Sequence, residues 1–186
     1  MTEPIKPVRR IVTIDDERSR KSHAIADGPS PDVRTDPARP GYATTRIWVT
    51  DSSPVRIEKR FRDTLLSAQM VEPPTQGSLC RIIMIPPDAS WRGKVSAPEV
   101  AAFFAAIGAA RASTFSPRAP HPYMQKTATL DFCLILDGEV TLVLDAEEVA
   151  LKAGDTVVQR GTNHAWSNRS DRPCRIAISS HDARAS

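Results

Sequence analysis

Runs of alternating apolar and polar residues recur along the chain and predict β-strands. Four such runs lie at residues 9–15, 21–26, 44–50 and 79–85. The first two are expected to form a strand pair. Asp27-Gly28-Pro29 breaks the pattern directly after them and ends the pair. Most of the chain therefore reads as strands, and the pattern predicts a mainly β fold.

Residues 130–136, LDFCLIL, form a further short strand with an acid on its apolar side. Alternation puts Asp131, Cys133 and Ile135 on one face and Leu130, Phe132, Leu134 and Leu136 on the other. Asp137-Gly138 is a hairpin turn signal, and residues 139–144, EVTLVL, alternate again. We expect these two runs to pair with each other, with Asp131 pointing inward.

One segment reads as a helix instead. Residues 96–112 open with a capping box formed by Ser96 and Glu99, and continue as a run of helix-forming residues. Phe103, Phe104 and Ile107 form an apolar stripe on it. Two interpretations stay open: a lid over the mouth of a barrel, or a helix packed outside the barrel or in a dimer contact. A second, short helix is predicted near residues 61–69.

Prolines make residues 29–41 an extended arm. The arm has little local apolar pattern of its own, so we expect it to pack across a partner chain in a homodimer. Residues 1–78 are expected to supply strands and this arm, and residues 79–182 the core with its helical insertion. Together they are predicted to form one domain, which suits 186 residues.

The composition argues against several classes of function. The formal net charge is +3, and the basic residues are scattered, which argues against nucleic-acid binding. Three cysteines stand in apolar runs without Cys-x-x-Cys spacing, so neither a zinc cage nor a disulfide framework is indicated. No apolar signal segment or membrane-spanning run is recognised, so we expect a cytoplasmic protein that does not act at a membrane.

A cluster of polar residues follows these strands at residues 160–168, RGTNHAWSN. Alternation puts His164, Trp166 and Asn168 on one face. Asp131 is followed after six residues by Gly138, and later by Gly154, Gly161, His164 and Asn168. This two-part spacing resembles the signature of the cupin superfamily. The resemblance implies an antiparallel cupin β-barrel, a jelly roll, with the helix at 96–112 as an insertion.

The resemblance is closer to a group of small bacterial and fungal cupins that carry a segment like HPxMHRTxTxDY. Here the segment reads HPYMQKTATLDF, with Gln125 where a histidine is expected and Phe132 where a tyrosine is expected. The first metal motif is therefore degenerate.

Cupins commonly hold a divalent metal, and the resemblance implies His121, Gln125, Asp131 and His164 as its ligands here. Such nitrogen and oxygen donors suit Fe, Mn, Ni or Zn. A metal-free site is the open alternative. Asp131 has a purely structural interpretation as well, as the ion-pair partner of Arg81 or Arg175.

The resemblance implies an enzyme acting on a small organic substrate with carbonyl or hydroxyl groups: an oxygenase, isomerase, decarboxylase or lyase. Asp131 and His164 are the candidate catalytic residues, and either would act as general base without a metal. Trp166, Tyr123 and Phe132 are expected to contact substrate. The alternative is a non-catalytic cupin that binds a small molecule and has lost its metal chemistry.

Overall fold

The structure, a computed structural model, describes residues 5–66 and 71–184. Within these ranges the chain is mainly β, as predicted. The strands are β1 (Arg9–Asp15), β2 (Ser22–Pro29), β3 (Val33–Thr35), β4 (Ala43–Thr50), β5 (Ser78–Ile85), β6 (Thr129–Asp137), β7 (Glu139–Leu144), β8 (Glu148–Lys152), β9 (Thr156–Arg160), β10 (His164–Ser167) and β11 (Cys174–Asp182). One α-helix in the described part, α1 (Ala97–Ala106), lies between β5 and β6.

Two antiparallel sheets enclose the main core. The larger has the order β3-β4-β5-β11-β6-β9, and the smaller has the order β10-β7-β8. Apolar residues of both sheets form one buried cluster, which includes Ile135 of β6, Leu142 of β7 and Trp166 of β10. The sheets therefore pack face to face, as in a double-sheet jelly roll. The inward alternation predicted for β6 is confirmed, since Asp131, Cys133 and Ile135 are all buried.

The predicted pairing of β6 with β7 is wrong. β6 pairs with β11 and β9, whereas β7 pairs with β8 and β10. Gly138, at φ +78°, lies at the point where the chain crosses from one sheet to the other. The Asp137-Gly138 signal identified the turn, but a turn does not specify whether the strands on either side bond to each other or enter different sheets.

The predicted first strand pair is confirmed, and β1 and β2 form a separate two-stranded sheet. The expectation that residues 29–41 need a partner chain is wrong. β3 pairs with β4 of the same chain, and Asp36 and Arg39 are buried against the chain's own residues. A polar pair, not an apolar pattern, holds this arm down.

Helix α1 starts where predicted and ends earlier. The Glu99 carboxylate accepts hydrogen bonds from the Ser96 backbone N–H at 2.7 Å and from its hydroxyl at 2.6 Å. Gly108, at φ +69°, ends the helix, and Ala109 N–H donates to the Phe104 carbonyl at 2.8 Å. This is a Schellman ending, so the helix stops at Ala106 and not at residue 112.

The second predicted helix, near residues 61–69, is reduced to a 3-10 turn at Thr64–Leu66, and residues 67–70 lie outside the described residues. None of the helices in the described ranges is both long and apolar enough to cross a membrane.

Candidate functional site

A cavity of about 40 Å³ lies between α1 and the two sheets. Its apolar wall includes Phe103, Phe104 and Ile107, so the predicted stripe of α1 faces the cavity and covers it. The side chains with polar groups in its wall are Arg39, Tyr42, Arg81, Tyr123, Gln125 and Trp166. The volume holds a few water molecules, well below the several hundred Å³ of a typical pocket for a drug-sized ligand. The lid interpretation of α1 fits this placement.

Gln125 and His164 are brought together by the backbone. Gln125 N–H donates to the His164 carbonyl at 2.8 Å, and His164 N–H donates to the Gln125 carbonyl at 2.9 Å. Residues that exchange both bonds in an antiparallel pair present their side chains on the same face. The Gln125 amide nitrogen accordingly lies 3.4 Å from His164 Nε2. Two residues 39 positions apart thus share one site.

The second ring nitrogen of His164 determines its tautomer. Nδ1 lies 2.9 Å from the Thr162 carbonyl oxygen, which can only accept a hydrogen bond. Nδ1 therefore carries the proton, and Nε2 presents its lone pair to the Gln125 amide. Burial lowers the pKa of His164 below 6.5, although the Thr162 carbonyl and the charge of Asp131 favour protonation. At neutral pH the imidazole is uncharged and able to accept a proton at Nε2.

Asp131 is buried on the inner face of β6, and only 4% of it is exposed. No side chain or backbone group of the described residues forms a hydrogen bond with its Oδ1 atom. The structural interpretation of Asp131, as the ion-pair partner of Arg81 or Arg175, stays a prediction. A buried carboxylate oxygen without a partner is costly and is characteristic of functional sites.

His121 stands apart from these groups. It is completely buried in a loop, with its ring centroid 5.6 Å from that of Trp91. Its Nδ1 accepts a hydrogen bond from the Tyr123 backbone N–H at 3.1 Å. Burial, reinforced by the charges of Arg92, Arg39 and Arg169, lowers its pKa to about 3. His121 is thus an uncharged part of an aromatic cluster. Among the four predicted metal ligands, Gln125 lines the cavity, whereas His121, Asp131 and His164 lie behind its wall.

The predicted four-residue metal set is therefore not assembled as expected. Among residues 5–66 and 71–184, no group of three or more His, Cys, Asp and Glu side chains is arranged to hold a metal ion. At His164, moreover, the lone pair that a metal would take faces the amide nitrogen of Gln125, a donor. His121 therefore does not belong to the proposed set, and a metal held by Gln125, Asp131 and His164 alone stays a prediction.

Two of the three predicted substrate-contact residues line the cavity, and the third does not. Trp166 and Tyr123 line the cavity, and the Trp166 ring lies 5.9 Å from the His164 ring. Phe132 does not belong with them. It is 49% exposed on the outer face of β6, where its ring contacts His181 at 5.4 Å. The alternation of β6 already required this, since residues 131 and 132 point to opposite faces.

Two motif residues have structural roles. Burial, together with the charge of Asp131, raises the pKa of Cys133 to about 12, so its thiol stays protonated and packs in the core as expected. Asn168 donates to the carbonyls of Ile85 at 2.9 Å and Arg172 at 2.8 Å. It therefore connects the end of β10 to β5 and does not reach the cavity.

Sequence reasoning missed Arg39. Its guanidinium donates to Asp36 at 2.7 Å and lies over the rings of Tyr123 at 3.4 Å and Tyr42 at 3.9 Å. Asp36 accepts a further hydrogen bond from the Tyr123 hydroxyl at 2.8 Å. The only signal in the sequence was an acid and an arginine three residues apart within a proline-containing arm, which is too common to indicate a site.

Comparison with known proteins agrees with the two-part motif. Residues 113–180 match the family model of the cupin domain, and this range contains the segment HPYMQKTATLDF and the polar cluster at residues 160–168. The chain carries a cupin domain. Phomopsin biosynthesis cluster protein C′ of Diaporthe leptostromiformis is 56% identical over 48 residues, 25% of each chain. The cupin-domain-containing oxidoreductase virC of Hypocrea virens is 36% identical over 55 residues, 29% of this chain and 28% of that protein.

These alignments span about a quarter of the curated relatives' length. Among solved structures, the cupin domain of Schizosaccharomyces pombe Cnp3 is similar at a TM-score of 0.44 with 10% identity, covering 94% of this chain and 87% of that chain.

Proposed function

We propose that this cupin is an enzyme acting on a small organic substrate with carbonyl or hydroxyl groups, with His164 as general base. The observation that carries the proposal is the uncharged, buried His164, whose Nε2 lone pair is turned toward the cavity residue Gln125. A base that is deprotonated at neutral pH and shielded from water is what proton abstraction next to a carbonyl, or from a hydroxyl, requires. The match to the cupin family and to an oxidoreductase with a cupin domain supports the enzyme class.

Gln125 occupies the position that the substrate would take. Its contact with His164 Nε2, at 3.4 Å, is at the long end for a hydrogen bond. A substrate C–H or O–H group would displace this amide at little cost and transfer its proton to Nε2. The nearby Asp131 charge favours the protonated ring, so it would stabilise the imidazolium that forms.

The test is hydrogen exchange and turnover by NMR in D₂O, with a panel of small carbonyl and hydroxy compounds, each with and without added Fe(II), Mn(II) or Zn(II). We expect at least one compound to exchange or react. His164→Gln should lower that rate about 100-fold or more, since a positioned base contributes about that much. His23→Gln is the matched control, because His23 is exposed on β2 and should leave the rate unchanged.

A non-catalytic binding cupin is the second candidate. The observation that favours it is the Gln125 amide nitrogen at the His164 lone pair, in the place where metal chemistry would begin. If compounds bind saturably and none reacts or exchanges under any metal condition, this second function stands and the enzyme proposal is wrong.

A further inference from the structure

Arg39 is a buried cation that faces the cavity from the arm. Only 5% of it is exposed, and its guanidinium lies between the rings of Tyr42 and Tyr123. Its ion-pair partner Asp36 is already fully engaged: one oxygen accepts from the Ala38 N–H, and the other accepts from Arg39 Nε and the Tyr123 hydroxyl. The pair holds the arm in place, yet it does not use all of the guanidinium donors.

Two donors of the cavity wall have no acceptor within the part of the chain that the structure describes. They are Arg39 Nη2 and the indole Nε1 of Trp166, which are both buried, and both side chains line the cavity. Leaving a buried donor without an acceptor is costly, and more so when the donor is charged. Both donors need an acceptor, so a ligand that binds them would carry acceptor oxygen atoms. Because one donor is a cation, the group that carries these atoms is best an anion.

The apolar part of the cavity wall indicates an apolar part of the ligand. Phe103, Phe104 and Ile107 of α1 present apolar surface to the same cavity. A planar carboxylate matches the guanidinium fork and needs little room, which suits a cavity of about 40 Å³. A carboxylic acid with a short apolar chain combines both requirements.

We propose that the cavity binds a small carboxylic acid, its carboxylate accepting hydrogen bonds from Arg39 and Trp166 and its apolar part packing against α1. The proposal deepens the proposed function by naming its substrate class. The Trp166 ring lies 5.9 Å from that of His164, so a carboxylate bound by the Trp166 indole would lie near the proposed base. Binding is measured separately from turnover, so each proposal can fail without the other.

The experiment is an NMR titration of the purified protein with acetate and propionate, each compared with its uncharged amide of similar size. The signals followed are the Arg39 Nε–H and the Trp166 indole N–H. We expect saturable shifts with the acids and binding about 10-fold weaker or worse with the amides, the worth of one hydrogen bond to a charged group.

Two variants locate the binding. Trp166→Phe keeps the aromatic body and removes the indole donor, and should weaken acid binding about 5-fold to 10-fold. The double variant Asp36→Asn with Arg39→Gln removes the cation without leaving a buried unpaired acid, and should abolish the preference for acid over amide. Arg34→Gln, an exposed position on the same arm, is the control and should bind acids normally. Circular dichroism verifies that each variant is folded.

Three results would overturn the proposal: acids and amides binding alike, no acid binding at up to about 100 mM, or acid binding that survives both folded variants. None of them bears on whether His164 acts as a base, because the exchange assay measures that separately with the panel of carbonyl and hydroxy compounds.

Discussion

At the residue scale, His121 makes the stability of the protein depend on pH. In the folded chain its pKa is about 3, whereas an exposed histidine has a pKa near 6.5. Between about pH 3 and pH 6.5, this histidine is protonated in the unfolded chain and uncharged in the folded chain. The stability contribution is therefore complete above about pH 6.5 and is lost as the pH falls, by about 1.4 kcal/mol per pH unit. His164, whose pKa is also lowered, acts in the same direction.

We predict that His121→Asn flattens this dependence. The Asn side-chain oxygen can still accept from the Tyr123 N–H, but it does not titrate. From about pH 6.5 to about pH 5, the variant should lose about 2 kcal/mol less of its free energy of unfolding than the wild type. Urea unfolding at the two pH values measures this. His23→Asn, on an exposed strand, should keep the wild-type slope, and an unchanged slope in His121→Asn would contradict the prediction.

Gln125 is the residue at which a substitution is expected to change the affinity for a divalent metal. A divalent metal at this site stays a prediction, and the wild-type donors Gln125, Asp131 and His164 should bind one weakly. Gln125→His places a second imidazole beside His164, because the paired backbone holds both side chains on one face. Imidazole is a better donor to first-row metals than an amide, so Zn(II) or Mn(II) affinity should rise about 10-fold or more.

Asp131→Asn should do the reverse, because it removes the formal negative charge of the proposed set. Isothermal titration of metal into the metal-stripped proteins gives the comparison. Identical affinities in the wild type and both variants would mean that these residues do not form a metal shell.

At the scale of elements, the turn between β6 and β7 is tightly constrained. Gly138 combines φ +78° with close approach: a Cβ atom there would lie 2.8 Å from the Pro173 carbonyl oxygen. Gly154 has φ +95° but open space around it, so it serves as a matched control.

We predict that Gly138→Ala destabilises the fold more than Gly154→Ala. Both variants carry the strain of a left-handed residue, about 1–2 kcal/mol, and only the first adds a clash with backbone. The difference should be about 1 kcal/mol or more in urea unfolding, since the contacted oxygen cannot move independently of the strand that follows it. Equal destabilisation would show that the crossing between the sheets relaxes freely.

At the scale of the whole molecule, the homodimer stays a prediction, but its expected surface changes. The arm is committed to its own chain through Asp36 and Arg39. The outer faces of β6 and β9 instead expose apolar side chains, with Phe132 opposite Val158 in the strand pair. Exposed apolar patches of this kind are typical of contacts between protein copies.

We predict that light scattering of the wild type gives twice the chain mass of 20.4 kDa and that Val158→Lys shifts it toward the monomer. Val158 is 59% exposed, so the substitution should not disturb the fold. Val33→Lys tests the arm with the same change at an exposed position. A dimer that dissociates with Val33→Lys and not with Val158→Lys would assign the contact to the arm instead.

The local patterns of the sequence were sufficient for six strands and for the burial of Asp131 and His164. The six are β1, β2, β4, β5, β6 and β7. Strand alternation has a period of two that depends only on neighbouring residues, so burial of one face can be read directly. The capping box placed the start of α1 for the same reason: its bonds join residues three apart. The motif spacing then identified the cupin domain.

Only the tertiary structure decided which strands bond to one another and which side chains meet. The Asp137-Gly138 signal is the same for a hairpin and for a crossing between sheets, because the choice depends on strands β8 to β11 further along the chain. His121 matched a ligand motif, yet packing against Trp91 drew it into an aromatic cluster. Arg39 matched no motif, yet the folded arm brought it to the cavity. Contacts across long stretches of chain follow from how the whole core packs, and that information is absent from any short segment.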